Sequence, residues 1–290
     1  MSLEWKVDDR KFYIREAETE AEFHEIEEIQ KEVWGFSDLD IVPSATLIAT
    51  QWAGGMALGA FEGERMIGFA YGFPAHEQGQ LSIHSHMLAV RAEYRNLQIG
   101  FLLKLAQRAR ALEMGVTEIT WTFDPLQSLN AHLNFAKLGV ISRRYIVNFY
   151  GEMSSSPLHQ GFGTDRLWVS WLLETEKVKQ RIERMEKGLK SGPDSKDMLI
   201  NETPLLVERE GDHPRLADLS KPLSDDLYLI EIPYDATALK QRDPDTAIAW
   251  REATRAAFLK AIDAGFMVKD FLKRDDKVTP RWFYLLSRLS

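Results

Sequence analysis

Short apolar runs of strand length alternate with segments whose apolar side chains recur at helical spacing, and this alternation confines the chain to a mixed α/β architecture. Phe12 to Arg15 predicts a strand, and Glu20 to Val33, with Phe23, Ile26, Ile29 and Val33 on one stripe, predicts a helix. Pro43 and Ser44 open a second helix that runs to about Ala53, where Gly54-Gly55 lets the chain turn. Ala57 to Phe61, Met66 to Phe73 and Leu81 to Val90 follow as strands separated by Glu62-Gly63-Glu64-Arg65 and Gly79. Gln98 to Glu113 is an amphipathic helix closed near Gly115. Thr117 to Phe123 is a strand, Leu129 to Leu138 a helix ended by Gly139, and Val140 to Tyr150 and Leu167 to Leu173 are strands. The order β-α-α-β-β-β-α-β-α-β-β combines an antiparallel meander with helical crossovers in one mixed α+β sheet.

A chain of 290 residues exceeds a usual single domain, and a boundary near Leu173 is expected. Residues 1–173 form the first domain. Residues 174–197 hold a solvated helix rich in Glu, Lys and Arg (Glu174 to Lys187) and a linker (Gly188 to Asp197), and residues 198–290 form an additional C-terminal α/β domain. In that domain Met198 to Val207, Leu227 to Ile232, Phe266 to Leu272 and Trp282 to Leu286 read as strands and Thr246 to Ala264 as a helix. Strand, helix, Gly265 and two strands repeat the order from Thr117 to Leu173, as a degenerate half-repeat or as convergence on a common βαββ unit.

With 44 acidic against 36 basic residues and no basic stripe interleaved with aromatics, nucleic acid is not an expected partner. The 0 cysteines exclude disulfides and thiolate metal sites. Met1 to Arg10 has no apolar signal core, and no uninterrupted apolar stretch reaches the roughly 18 residues of a membrane span, so a cytoplasmic protein without a membrane partner is expected.

The chemistry concentrates in Leu88-Ala89-Val90-Arg91-Ala92-Glu93-Tyr94-Arg95-Asn96-Leu97-Gln98-Ile99-Gly100-Phe101, a strand, a short loop and a helix start. A helix tip presents unpaired N–H groups with partial positive charge, suited to a pyrophosphate, and Gly100 lets backbone approach it. Arg95 to Gly100 resembles the Arg/Gln-x-x-Gly-x-Gly/Ala loop of the GNAT N-acetyltransferase superfamily over a region of about residues 12–173, with Gln98 at the usual first Gly. The resemblance implies a GNAT-like acyl-CoA N-acyltransferase fold with acetyl-CoA (coenzyme A) as cofactor. It would be held by Leu88, Ala89, Val90, Arg95, Asn96, Leu97, Gln98, Ile99, Gly100 and Phe101.

His84-Ser85-His86 precedes that loop on the same strand, where alternation turns both imidazoles one way. Together they can take the proton an ammonium must lose before attacking a thioester. The arrangement His84-x-His86-x-Leu88-Ala89-Val90 is similar to that of serotonin N-acetyltransferase, which implies catalytic roles for His84 and His86. Such a pair also suits zinc or plain sheet hydrogen bonding, but no third metal ligand stands nearby and no metal is expected.

Ser128 to Val140 resembles the superfamily's Asn-x-x-Ala-x-x-x-Tyr-x-Lys-x-Gly-Phe helix, with Asn130 as the candidate cofactor contact. The tyrosine that would protonate the leaving thiolate is replaced by Phe135, which has no proton to give. Tyr145 and His132 are its candidate replacements. In this fold the first two helices and their connection cover the acceptor, which nominates Trp34 and Phe36. Trp121, Phe123 and Asp124 fall where such sheets splay to admit pantetheine, and Asp124 is counted with the acceptor contacts.

The expected reaction is direct transfer of an acetyl group to a primary amine of a small molecule or peptide in a ternary complex. The alternative is a non-catalytic acyl-CoA-binding or sensing protein. The C-terminal domain is also a candidate dimerisation module, making a homodimer.

Overall fold

The structure is a computed structural model that describes residues 3–7, 10–151, 162–188, 194–275 and 279–288. The described residues divide into two compact units, one ending at Trp121 and the other beginning at Thr122. The boundary expected near Leu173 therefore lies inside the second unit.

In the first unit, β1 (Leu3–Val7), β2 (Arg10–Glu16), β3 (Met56–Glu62), β4 (Arg65–Glu77) and β5 (Gln80–Val90) form an antiparallel meander. Strand β6 (Glu118–Phe123) then pairs parallel to β5 after the crossover helix α3 (Ile99–Glu113), as a parallel neighbour requires. Helix α1 (Glu20–Trp34) starts at a capping box: Glu22 N–H donates to Thr19 Oγ1 at 3.3 Å, and the Glu22 carboxylate accepts the Thr19 N–H at 3.3 Å. It ends at left-handed Gly35. Gln30 on α1 clamps the main chain of Val42 through two hydrogen bonds, fixing the entry to α2 (Ser44–Trp52).

Phe23, Ile26 and Ile29 of α1 and Leu47 of α2 pack on Ala57, Phe61, Met66, Phe69, Tyr71 and Ala89 of the sheet. Arg91, just past β5, ties the strand end to α1 through Glu25 at 3.4 Å and through Glu32. Helix α3 packs on β2 to β5.

The second unit holds α4 (Ser128–Ala131, continued as a π-helix over His132–Leu138), β7 (Ile141–Ile146), β8 (Arg166–Leu172), α5 (Glu176–Glu186), α6 (Asp194–Glu202), β9 (Leu205–Glu210), β10 (His213–Leu216), β11 (Leu227–Ile232), α7 (Ala236–Arg242), α8 (Pro244–Asp263), β12 (Phe266–Arg274) and β13 (Arg281–Arg288). Its strands run in the order β8-β7-β12-β13-β11-β9-β10. Because β7 meets β12 at Ser142↔Val268 and Lys177 of α5 reaches the carbonyls of Val140 and Lys269, the segment after Thr122 shares its packing with the C-terminal strands.

Several elements differ from expectation. The strand read over Met198 to Val207 is instead the end of α6, a break at Thr203-Pro204, and β9. Ile200 faces Leu229, Leu272, Phe283 and Leu285, so this apolar run packs as a helix onto strands, and Pro204 stops it. Part of the expected linker (residues 194–197) is likewise helical, and residues 189–193 of it lie outside the described residues. The strand expected to Tyr150 stops at Ile146, followed by a turn in which Asn148 takes φ 49. Strands β1 and β10 and helix α7 come without a clear pattern in their short polar sequences.

Candidate active site

After Val90 the chain makes a 3-10 turn over Ala92–Tyr94, whose buried Tyr94 hydroxyl donates to Glu62 at 2.9 Å. Arg10 holds the same carboxylate at 2.6 and 2.8 Å and lies over the Tyr94 ring, so the loop's base is pinned to the meander. Asn96 and Gln98 then adopt φ of 72 and 61, a left-handed conformation that glycine takes without cost. Gln98 thus holds, at the expense of local strain, a backbone conformation that favours glycine.

The first bond within α3 runs from Leu102 N–H to the Gln98 carbonyl at 3.0 Å, so the N–H groups of Ile99, Gly100 and Phe101 have no acceptor within the helix. Ile99 and Phe101 bury their side chains, whereas Arg95, Asn96 and Gln98 are exposed. A Cβ at Gly100 would meet only Leu88 Cδ2 at 3.5 Å, ordinary contact, so protein packing does not demand glycine here.

Strand β5 carries the remaining features. Tyr71 pairs with Met87 and Gly72 with Ser85, which leaves His86 as the extra residue of a β-bulge. Gly72 stands opposite because a Cβ there would come within 3.0 Å of the His84 carbonyl. On its other side β5 pairs with β6 at Ile83↔Ile119 and His84↔Thr120. Among the described residues, Ser85 to Val90 have no partner on β6. Leu88, Ala89 and Val90 lie on that stretch, held on the β4 side by Ala70, Phe69 and Gly68.

The structure brings the imidazoles of His84 and His86 together, with ring centroids 6.4 Å apart and both against Phe73, at 5.4 and 5.7 Å. Since Phe73 packs on the α1 and α2 core, the pair shares that face of the sheet. His84 Nδ1 lies 3.1 Å from Thr120 Oγ1. Burial, with added repulsion from His86 and Lys104, lowers the His84 pKa to about 4, so its imidazole is neutral at neutral pH. His86 is more exposed, and desolvation lowers its pKa too.

The alternate residue, Ser85, points to the α3 face, where the sequence reading nominated nothing. There Lys104 Nζ donates to Ser85 Oγ at 2.7 Å and sits 3.8 Å from the centre of the Trp121 ring, while Ser85 donates to Gln107 Oε1 at 2.9 Å. Lys104 is 4% exposed, and burial lowers its pKa to about 7. Lys104, Gln107 and buried Ala111 lie on one face of α3, so polar residues on an apolar stripe were the available signal.

Trp34 at the end of α1 stacks at 5.5 Å on Phe36 in the connection that follows, and Trp34 also meets Phe69 edge-on at 6.0 Å. In the second unit Asp124 accepts Arg251 Nη2 on both oxygens, at 2.8 and 2.9 Å. Tyr145 donates its proton to Asp165 at 2.6 Å, and burial raises its pKa. Phe135 is fully buried against Phe123 and Tyr284, Asn130 is exposed on α4, and His132 stands edge-on to Trp282. Among the described residues no group of His, Asp and Glu is arranged to hold a metal, and no helix is long and apolar enough to cross a membrane.

A crossover helix whose first amides lack helical acceptors thus lies beside a bulged strand that pairs with β6 only as far as Thr120. Residues 19–140 match the model of the acetyltransferase (GNAT) family. No curated protein matches the chain. Similar solved structures include the ribosomal-protein-S18-alanine N-acetyltransferase from Escherichia coli, at 14% identity over 57% of this chain and 95% of that one, with a TM-score of 0.45. Another is yncA, a putative acetyltransferase from Salmonella typhimurium with its cofactor acetyl-CoA, at 16% identity, 57% and 95% coverage and a TM-score of 0.46. A third is a putative acetyltransferase from Acinetobacter baylyi, at 17% identity, 59% and 97% coverage and a TM-score of 0.46.

Proposed function

We propose that the chain is an N-acetyltransferase that moves an acetyl group from acetyl-CoA to a primary amine of a small molecule or peptide by direct attack in a ternary complex. The observation that carries this reading is the tip of α3: three successive amides without helical acceptors, opened by left-handed Gln98, next to a glycine that packing does not require. Those amides, with Arg95 and Asn96 at the rim, fit a diphosphate. The unpaired edge from Leu88 to Val90 offers main-chain groups to a pantetheine arm, in the manner of an added strand.

The bulge leaves His86 as the extra residue of the β4–β5 pair, where a main-chain N–H can polarise a thioester carbonyl. Neutral His84 and His86 accept the acceptor's proton through water and pass it to solvent. Trp34 and Phe36 border the acceptor side. Holding both reactants on one rigid sheet supplies proximity, and no covalent acyl-enzyme is required.

A second reading, a non-catalytic acyl-CoA-binding protein, draws on Phe135, whose buried ring stands where the family helix carries a proton donor. Calorimetric titration with acetyl-CoA, followed by a screen of primary amines with detection of released thiol, separates the two. Binding with thiol release supports the transferase; binding without release across amine classes supports the second reading; no binding sinks both.

A further inference from the structure

We infer that Lys104 is the acid of the proposed transfer, donating a proton to the departing coenzyme A thiolate. The inference rests on the reading above. The last shared rung of β5 and β6 is His84↔Thr120, and the next residue on each strand is Ser85 and Trp121. Lys104 reaches up from α3 between those two side chains, 2.7 Å from Ser85 Oγ and 3.8 Å from the Trp121 ring centre. Its ammonium therefore stands at the point where the strands part.

An ammonium carries three N–H donors. One is taken by Ser85 Oγ and one face is turned to the Trp121 π-cloud, which leaves a donor with no acceptor. Among the described residues no carboxylate pairs with Lys104, although a cation buried without its anion is costly. The nearby Gln107 Nε2 is also buried without a partner. A donor held in a dry site without a counter-charge is arranged for negative charge that arises only during reaction.

The proposed donor pose brings that charge here. From Val90, beside the α3 tip, to Ser85 the strand covers roughly 16 Å at its rise per residue, so a pantetheine arm laid along this edge ends its sulfur near Ser85. As the amine nitrogen forms its bond to the carbonyl carbon, the carbon–sulfur bond breaks and its electron pair stays on sulfur. Lys104 gives one proton to that sulfur and becomes a neutral amine. Of the two protons the acceptor ammonium loses, one leaves through the histidines to solvent and the other is returned to Lys104, so the cycle closes with release of one proton. Burial lowers the Lys104 pKa to about 7, which lets it both give and regain a proton near neutrality. The titratable group within electrostatic reach of Lys104 is His84, on the other face of β5; burial is the sole cause of the Lys104 shift, and on β2 the carboxylate of Glu16 is engaged by Arg110 at 2.8 Å.

The test titrates the thiol of free coenzyme A bound to the full chain, by thiolate absorbance, in the unaltered protein and in Lys104→Met and Lys104→Arg. A fixed charge beside the sulfur favours the thiolate, and Lys104 can hand its proton over whereas arginine cannot, so at pH 7 the bound thiolate fraction should be about tenfold higher in Lys104→Arg than in Lys104→Met, with the unaltered protein between them. Turnover with acetyl-CoA should fall about 100-fold in Lys104→Met at unchanged KM for acetyl-CoA. Circular dichroism and calorimetric binding confirm that each variant folds and binds. Equal thiolate fractions in variants that bind coenzyme A overturn the role of Lys104 alone. Absence of coenzyme A binding by the unaltered protein overturns the proposed function, and this role with it.

Discussion

Arg251 donates Nη2 to both carboxylate oxygens of Asp124, at 2.8 and 2.9 Å, inside the second unit. Both groups are buried, and Arg251 Nε and Nη1 make no hydrogen bond, so Asp124 is the carboxylate hydrogen-bonded to this buried cation, whose guanidinium also lies 4.6 Å from the centre of the Phe162 ring. Asp124→Asn should therefore act through stability, lowering the unfolding free energy by about 3 kcal/mol or more because an uncompensated charge is left buried. Urea unfolding followed by fluorescence checks this; a variant of normal stability with only a raised KM for the amine would make Asp124 an acceptor contact instead.

Gly100 and Gln98 separate packing from binding. Gly100→Ala should leave stability within about 1 kcal/mol, since its Cβ meets only Leu88 at ordinary distance and alanine favours a helix. Affinity for acetyl-CoA should nonetheless drop. Gln98→Gly removes a side chain from a left-handed position and should stabilise the protein by roughly 0.5 to 1 kcal/mol without weakening binding. Calorimetry and urea titration read both, and unchanged affinity in Gly100→Ala would move the diphosphate elsewhere.

The pH dependence of stability has two windows of the same sign. His84 is pushed down from 6.5 to about 4, so the unfolded chain binds its proton more readily, and stability falls as pH drops from 6.5 towards 4. Lys104 is pushed down from 10.5 to about 7, so its contribution grows as pH rises from 7 towards 10.5. Thermal melts should show both slopes. His84→Gln should flatten the acid one and Lys104→Met the alkaline one; a variant that flattens neither would place these groups in solvent.

The double variant His84→Ala/His86→Ala should retain acetyl-CoA binding while losing about 100-fold in kcat, a typical general-base contribution. Calorimetry and thiol detection on the same samples distinguish this from misfolding. Full turnover in the variant would leave the pair as sheet packing around Phe73.

Phe135→Tyr would place a hydroxyl in the fully buried cluster of Phe123 and Tyr284, without an obvious partner, and should cost about 1 to 3 kcal/mol. Urea unfolding measures it. Gained activity with no loss of stability would mean that the position still faces a reacting sulfur.

Periodicity and punctuation were enough to read α1, α2, α3, β11 and the β3 to β5 meander, because in each the local pattern and the packed face agree. The strand-loop-helix of Val90 to Gly100 was legible for the same reason: main-chain chemistry at a helix tip depends on neighbours in sequence. Met198 to Val207 was misread since a short apolar run fits a strand or a packed helix equally, and only Leu229, Leu272 and Phe283 across the fold choose.

What the chain determines alone is thus local: where helices start, where glycine or its left-handed substitute turns the backbone, and which imidazoles alternate onto one face. The bulge at His86, the separation of β5 from β6 after Thr120, the pairing of Asp124 with Arg251 and the burial of Lys104 beside Ser85 and Trp121 were decided by tertiary structure. Each depends on groups tens of residues apart, and desolvation, the force that sets their charge states, exists only once those groups have been brought together.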